Sequence, residues 1–174
     1  MNTLEAIKKR VSCRAYKPEQ ISEESLNEIL KAGMSAPVAS AMYDSMHITV
    51  VQNEEVLKQI VDLSSEFLSN FTGQKREINF GVKNIIVVSG APGLAPGMDY
   101  TNAGCIVENM LIAATSMGID NIVWAIPDFA IGQNADMMAQ LGIPVGLKPL
   151  LCASFGYAVK DEPAKEHRIT VNRV

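Results

Sequence analysis

Histidine is almost missing from this chain: of 174 residues only His47 and His167 are histidine, which argues against a histidine-based metal centre and leaves His47, within a strand-like run, as a structural residue. Cysteine is scarce as well. Cys13, Cys105 and Cys152 are odd in number, far apart and without a Cys-x-x-Cys pair, so neither a disulfide framework nor a zinc site is expected, no metal is assigned, and a reducing compartment is implied. No G-x-G-x-x-G and no G-x-x-x-x-G-K-[ST] occurs, so phosphate must be held by some other arrangement. Ser154 sits in Cys152-Ala153-Ser154-Phe155-Gly156, which lacks the first glycine of a nucleophile elbow and has no histidine placed as its base. Charge is sparse too, at 20% of residues with a net charge of -4, which excludes a polyanion-binding surface and with it nucleic acid as a partner. No apolar run reaches the roughly 20 residues of a membrane span. The first residues, with Glu5, Lys8, Lys9 and Arg10, contain no apolar signal core, so a cytoplasmic protein is expected and the sequon Asn70-Phe71-Thr72 is given no weight.

The chain does have enough apolar material for a core. Hydrophobic residues make up 48% of it, a length and composition that predict one domain over residues 1–174. Thr3 is read as the cap of a first short helix carrying Leu4 and Ile7. Ser22 opens a second helix, with Ile21 and Leu26 spaced as a hydrophobic staple and Gly33 as its stop. Strands are predicted at His47 to Val51, Ile85 to Ser89, Asn121 to Ile126 and Pro149 to Tyr157. Helices are predicted after Asn53, from Asp99 to Gly118 and from about Ala135 to Leu141. The helix opened by Asp99 is apolar nearly all round. A chain of this size has little material with which to surround such a helix, so a second subunit is expected to cover it; a central core helix in a monomer is the alternative.

The densest chemical signal is Arg10-Val11-Ser12-Cys13-Arg14. On an extended backbone Arg10, Ser12 and Arg14 fall on one side, where two guanidinium forks and a hydroxyl can surround the oxygens of an anion, while Cys13 turns the other way. Spacing alone fits an anion cradle or a solvated basic edge equally well. Trp124 and Tyr43 are read either as stacking surfaces or as core aromatics, and Met42 and Met46 as an adaptable wall or ordinary packing.

Taken in order, several segments resemble the nitroreductase family. Arg10-Val11-Ser12-Cys13-Arg14-Ala15-Tyr16 is similar to its R-x-S-x-R-x-[FY] opening, and the helix with Leu26, Ile29, Leu30, Ala32 and Gly33 follows as usual. Ala36-Pro37 stands where the family has A-P-S. Asn109-Met110-Leu111-Ile112-Ala113-Ala114 with Gly118 is similar to N-[LM]-[LM]-L-A-A-x-x-x-G, and Leu141-Gly142-Ile143-Pro144 and Gly156-Tyr157 match the L-G-I-P and G-Y landmarks. The resemblance implies an α+β, three-layer fold with a mostly antiparallel central sheet flanked by helices, in an intertwined homodimer holding FMN at the subunit interface.

By the same resemblance the chemistry is that of the flavin, with no catalytic side chain. NAD(P)H would reduce FMN through its N5, and nitroaromatic, quinone or related acceptors would then be reduced in a ping-pong sequence. Arg10, Val11, Ser12 and Arg14 would bind the phosphate and ribityl chain, helped by Arg168 and Lys165 of the tail. Pro37, Val38 and Ala39 would come from the partner subunit, and Ile122, Val123 and Trp124 would pass near the ring, offering a backbone N–H to N5. A non-enzymatic flavin-binding or redox-sensing dimer, and a dehalogenase-like or flavin-cleaving enzyme, remain alternatives on the same fold. Three departures stand out: Met42-Tyr43-Asp44-Ser45-Met46 in place of Asn-x-Gln-Pro-Trp, Gly81-Val82-Lys83-Asn84 without an Ala-Pro, and a shorter chain over the pocket.

Overall fold

The computed structural model describes residues 1–164 and 168–174. Among the described residues six α-helices and four strands are arranged as an antiparallel sheet between two helical layers, with short 3-10 turns at Ala39–Ala41 and Tyr43–Ser45. In chain order they are α1 (Thr3–Lys9), α2 (Glu23–Met34), β1 (Met46–Val51), α3 (Glu54–Thr72), β2 (Ile85–Gly90), α4 (Met98–Ser116), β3 (Asp120–Trp124), α5 (Ala125–Gly132), α6 (Ala135–Gln140) and β4 (Lys148–Gly156). Strand order is β1-β2-β4-β3, every neighbour antiparallel, as the α+β expectation requires.

Strand alternation divides the sheet residues between two cores. Ile86, Val88, Ala153 and Phe155 face α2 and α4, packing with Ile29, Ile106, Met110 and Leu111. Ile85, Val87, Ile122, Trp124 and Cys152 face the other way, packing with Leu57 and Ile60 of α3 and Ile131 of α5. Asn84 ties the two central strands together at their ends: its amide donates to the Phe155 backbone carbonyl (2.7 Å) and to Gln20 Oε1 (2.9 Å) and accepts from the Phe155 N–H (3.0 Å).

Local signals are largely obeyed. Ser22 caps α2 and Asn53 caps α3, each side chain accepting N–H groups of the first turn, as such residues do at helix starts. Four expectations need correcting. Asn2, not Thr3, caps α1, in a reciprocal pairing with Glu5, because it alone stands three residues before an acidic side chain. Gly33 does not end α2 but lies inside it, where a Cβ would collide with Met110 of α4; the glycine serves helix approach. Asp99 is the second residue of α4, whose cap is Gly97. Its carboxylate instead pairs with Lys148 at 3.1 Å: burial raises its pKa, but Lys148 and the Tyr100 N–H outweigh that and hold it below the ordinary value. Finally, the strand read as Asn121 to Ile126 stops at Trp124, and the next eight residues form α5. Pro127 lies in its first turn, where proline removes no helical bond.

Among the described residues no helix is long and apolar enough to cross a membrane, and no three His, Cys, Asp or Glu side chains group as metal ligands.

Candidate functional site

The segment from Arg10 to Lys17 is threaded against the outer edge of β3. Ser12 makes a parallel bridge with Asn121, and the Cys13 N–H donates to the Asn121 carbonyl at 2.9 Å. Farther along, Tyr16 bridges Ala158, the Lys17 N–H donates to Tyr157 O (2.8 Å), and the Val159 N–H donates to Ala15 O (2.9 Å). Both ends of the segment are therefore fixed by backbone bonds. Tyr16 lies so close to Gly156 that a Cβ there would be 2.8 Å from its ring; no larger residue fits without displacing the tyrosine.

This threading fixes which side chains face outward. Cys13 is buried, with its thiol on the Ala15 carbonyl at 3.3 Å, and burial pushes its pKa up, which leaves it a poor nucleophile. The whole run Arg10, Val11, Ser12, Cys13, Arg14 and Ala15 lines a cavity of about 500 Å3 together with Lys160 and Glu162. The Arg14 guanidinium folds back on the Ser12 carbonyl at 3.4 Å. Three cations against one carboxylate give the cavity a positive balance, and among the described residues none of the three is in an ion pair. Unneutralised cations beside a hydroxyl favour an anionic guest.

Lys160 was not among the expected tail residues. The signal for it is the pairing of Ala158 and Val159 with the Ala15–Tyr16 segment, a contact between distant parts of the chain that periodicity does not carry. Of the tail residues that were expected, Arg168 is exposed and does not line the cavity, and Lys165 lies outside the described residues.

Ile122, Val123 and Trp124 occupy β3, the strand that the cradle segment pairs with. Because the Asn121 carbonyl faces that edge, strand alternation turns the Val123 N–H toward it as well. The Trp124 indole is buried, its ring centroid 5.0 Å from that of Phe80, and its Nε1 has no hydrogen-bond partner among the described residues. What β3 offers at its edge is therefore backbone.

Pro37, Val38 and Ala39 do not line this cavity. Val38 packs in the α2–α4 core, across the sheet from the core that takes Cys13 and Tyr16, and the Ala39 N–H donates to Asn102 of α4 at 3.1 Å. The next two residues, Ser40 and Ala41, both hold positive φ, 54° and 53°. Non-glycine residues rarely adopt that conformation, and it persists only where surrounding contacts enforce it.

Known proteins were compared with the chain as a whole. The model of the Nitroreductase family matches residues 7–157. A protein of Archaeoglobus fulgidus, provisionally named an NADH dehydrogenase/NAD(P)H nitroreductase, is 30% identical over 164 residues, 91% of this chain and 86% of its own. Two solved structures are similar throughout. A nitroreductase from Desulfitobacterium hafniense with bound FMN has a TM-score of 0.85 and 26% identity, covering 99% of this chain and 100% of that one. A nitroreductase from Bacteroides fragilis with bound FMN has a TM-score of 0.81 and 26% identity, covering 100% and 97%. With its cradle, sheet and landmark segments in the family's order, this chain belongs to the nitroreductase family.

Proposed function

We propose that the protein is an FMN-dependent NAD(P)H oxidoreductase and that the cavity lined by Arg10, Ser12, Arg14 and Lys160 takes the phosphate end of the cofactor. One observation carries the assignment: Arg10, Ser12, Arg14 and Lys160 line one cavity, and among the described residues no carboxylate is ion-paired with any of the three cations. The fit to FMN is good on chemical grounds. A phosphate dianion matches unneutralised guanidinium and ammonium groups, and about 500 Å3 is within the usual size of a ligand site. FMN-bound relatives of the same fold support the reading.

Bound FMN would supply two-electron chemistry between NAD(P)H and an acceptor. The chain's own task is then to grip and orient. Arg10, Arg14 and Lys160 neutralise the phosphate, and the Ser12 hydroxyl adds a directional bond. The β3 edge would offer the Val123 N–H to the flavin ring, a contribution from backbone, and the buried Trp124 is assigned to the core. NAD(P)H and a nitroaromatic, quinone or related acceptor would use the same open face in turn.

A homodimer completes the site. In one chain the Pro37–Ala39 loop and the cradle lie on opposite sides of the sheet, so a second copy must bring the loop to the cavity. Ser40 and Ala41, the two consecutive left-handed residues that follow the Ala39–Asn102 bond, have the character of a loop shaped for a ligand.

The test is spectroscopic. Protein loaded with FMN should lose its yellow absorption on anaerobic addition of NADH or NADPH, whereas Arg10→Ala combined with Arg14→Ala should give folded but colourless protein. Stoichiometric FMN in that variant overturns the cradle. Flavin that is bound but not bleached identifies a redox-inactive flavin carrier instead.

A further inference from the structure

The cavity along Arg10 to Ala15 contains one group that a cradle for a bare anion does not need. Glu162 lines it beside Lys160, carried there by the tail, whose Val159 N–H donates to Ala15 O at 2.9 Å. Its charge reaches into the segment itself: burial raises the Cys13 pKa, and Asp120 and Glu162 add to the rise. Among the described residues Glu162 is in no ion pair with Arg10, Arg14 or Lys160, although all four line one space. A carboxylate among these cations repels a phosphate bound there, unless it faces a part of the guest that donates hydrogen bonds. An ionised carboxylate is an acceptor only. The cavity is therefore two-sided, with cations and the Ser12 hydroxyl for an anion and a carboxylate for donors close to that anion. FMN carries its groups in this order, a phosphate esterified to a ribityl chain whose carbons bear hydroxyls.

We propose that Glu162 selects the sugar chain of the cofactor, its carboxylate accepting hydrogen bonds from ribityl hydroxyls while Arg10, Arg14 and Lys160 hold the phosphate. The inference rests on the FMN reading above and narrows it: the preferred guest is the phosphate ester of a polyol rather than any anion of suitable size. Hydrogen bonds to a charged acceptor are shorter and stronger than neutral ones, and one of them is worth about tenfold in affinity. Removing the carboxylate then acts in opposite directions on two kinds of guest. A phosphate without neighbouring hydroxyls is relieved of a repulsion and binds more tightly, whereas a hydroxylated one loses its bond. A carboxylate that merely trimmed the charge of the cavity would weaken both alike.

The experiment is calorimetric titration of the full chain, freed of flavin, with two pairs of guests. Ribitol 5-phosphate and pentyl phosphate share charge and chain length and differ in hydroxyls; FMN and its 5-phosphopentyl analogue make the same comparison on the flavin. The parent should prefer the hydroxylated member of each pair about tenfold. Glu162→Ala should remove most of that preference and bind pentyl phosphate about twofold to fivefold more tightly. Glu162→Gln, which keeps an acceptor oxygen without the charge, should restore part of the preference. Glu162 is exposed, so both variants should keep the parent's circular dichroism. A preference that is the same in the parent and in Glu162→Ala overturns the proposal, and if all guests then bind more tightly the carboxylate only trims charge. A parent that prefers ribitol 5-phosphate but takes no FMN defeats the flavin reading and leaves the role of Glu162 standing. One that takes FMN and its analogue equally defeats the role of Glu162 and leaves the flavin reading standing, and one that takes none of the guests defeats both.

Discussion

Asp128 is the residue whose environment departs most usefully from its ordinary chemistry. It is 4% exposed, on the side of α5 that covers the sheet, and its Oδ1 has no partner among the described residues. Burial raises its pKa to about 7, opposed by its own N–H and that of Phe129; the same carboxyl helps raise the buried Cys152 thiol. In the unfolded chain the group titrates near 3.8, so between these values the folded state holds a proton that the unfolded state has released. This contribution to stability is therefore intact below the unfolded pKa and is lost as pH rises toward 7. At 1.36 kcal/mol per pK unit, the loss is roughly 2–4 kcal/mol once deprotonation is complete. Asp128→Asn mimics the protonated form. It should have little effect at pH 4, and by pH 8 the variant should unfold at distinctly higher denaturant concentration than the parent. A stability difference between the two that is independent of pH would show that the carboxyl is not held protonated.

Among the elements, the crossing of α2 and α4 depends on Gly33. An added Cβ would lie 2.8 Å from Met110 Cγ and collide with its Cε, and Met110 is fully buried. Two effects oppose each other in Gly33→Ala: about 1 kcal/mol gained from helix propensity against about 1–3 kcal/mol from overpacking a filled core. Overpacking should win, giving a net loss of about 1–2 kcal/mol by chemical denaturation. In a double-mutant cycle with Met110→Ala most of that loss should disappear, because the offending atoms are gone; strict additivity would place the cost elsewhere. Gly33 also marks how far the sequence was legible. Its presence was noted and its role misread, because a glycine near a helix end signals a stop locally, and only the facing helix reveals close approach. For the same reason α5 went unread: Ile126-Pro127-Asp128-Phe129-Ala130-Ile131 is apolar on several sides, so it carries no period that separates helix from strand. The run Arg10 to Arg14 could be singled out because its residues are adjacent in sequence, and they line one cavity together. Lys160 was not, because it reaches the cavity through pairing with a segment about 145 residues earlier.

At the scale of the whole molecule, apolar side chains are left exposed at both ends of the chain. In the tail, Ile169 is 88% and Val171 76% exposed, two residues apart and packed on neither core. On α1, Leu4 and Ile7 are also exposed. A few scattered apolar side chains on a surface are ordinary, but Ile169 and Val171 pack on neither core among the described residues, and the homodimer proposed above supplies a second copy to cover them. Seating the tail on that copy accounts for their exposure in a single chain. Ile169→Asp with Val171→Asp leaves Arg10, Arg14, Lys160 and Arg168 intact, so any effect on cofactor must pass through assembly. Burying two such side chains is worth about 3–6 kcal/mol, enough to raise the dimer dissociation constant by at least a hundredfold. Light scattering should accordingly show the variant as monomer at micromolar concentration, with FMN lost on gel filtration. If it remains a dimer with its FMN, the tail is not a subunit contact and the halves of the site are brought together by other surfaces.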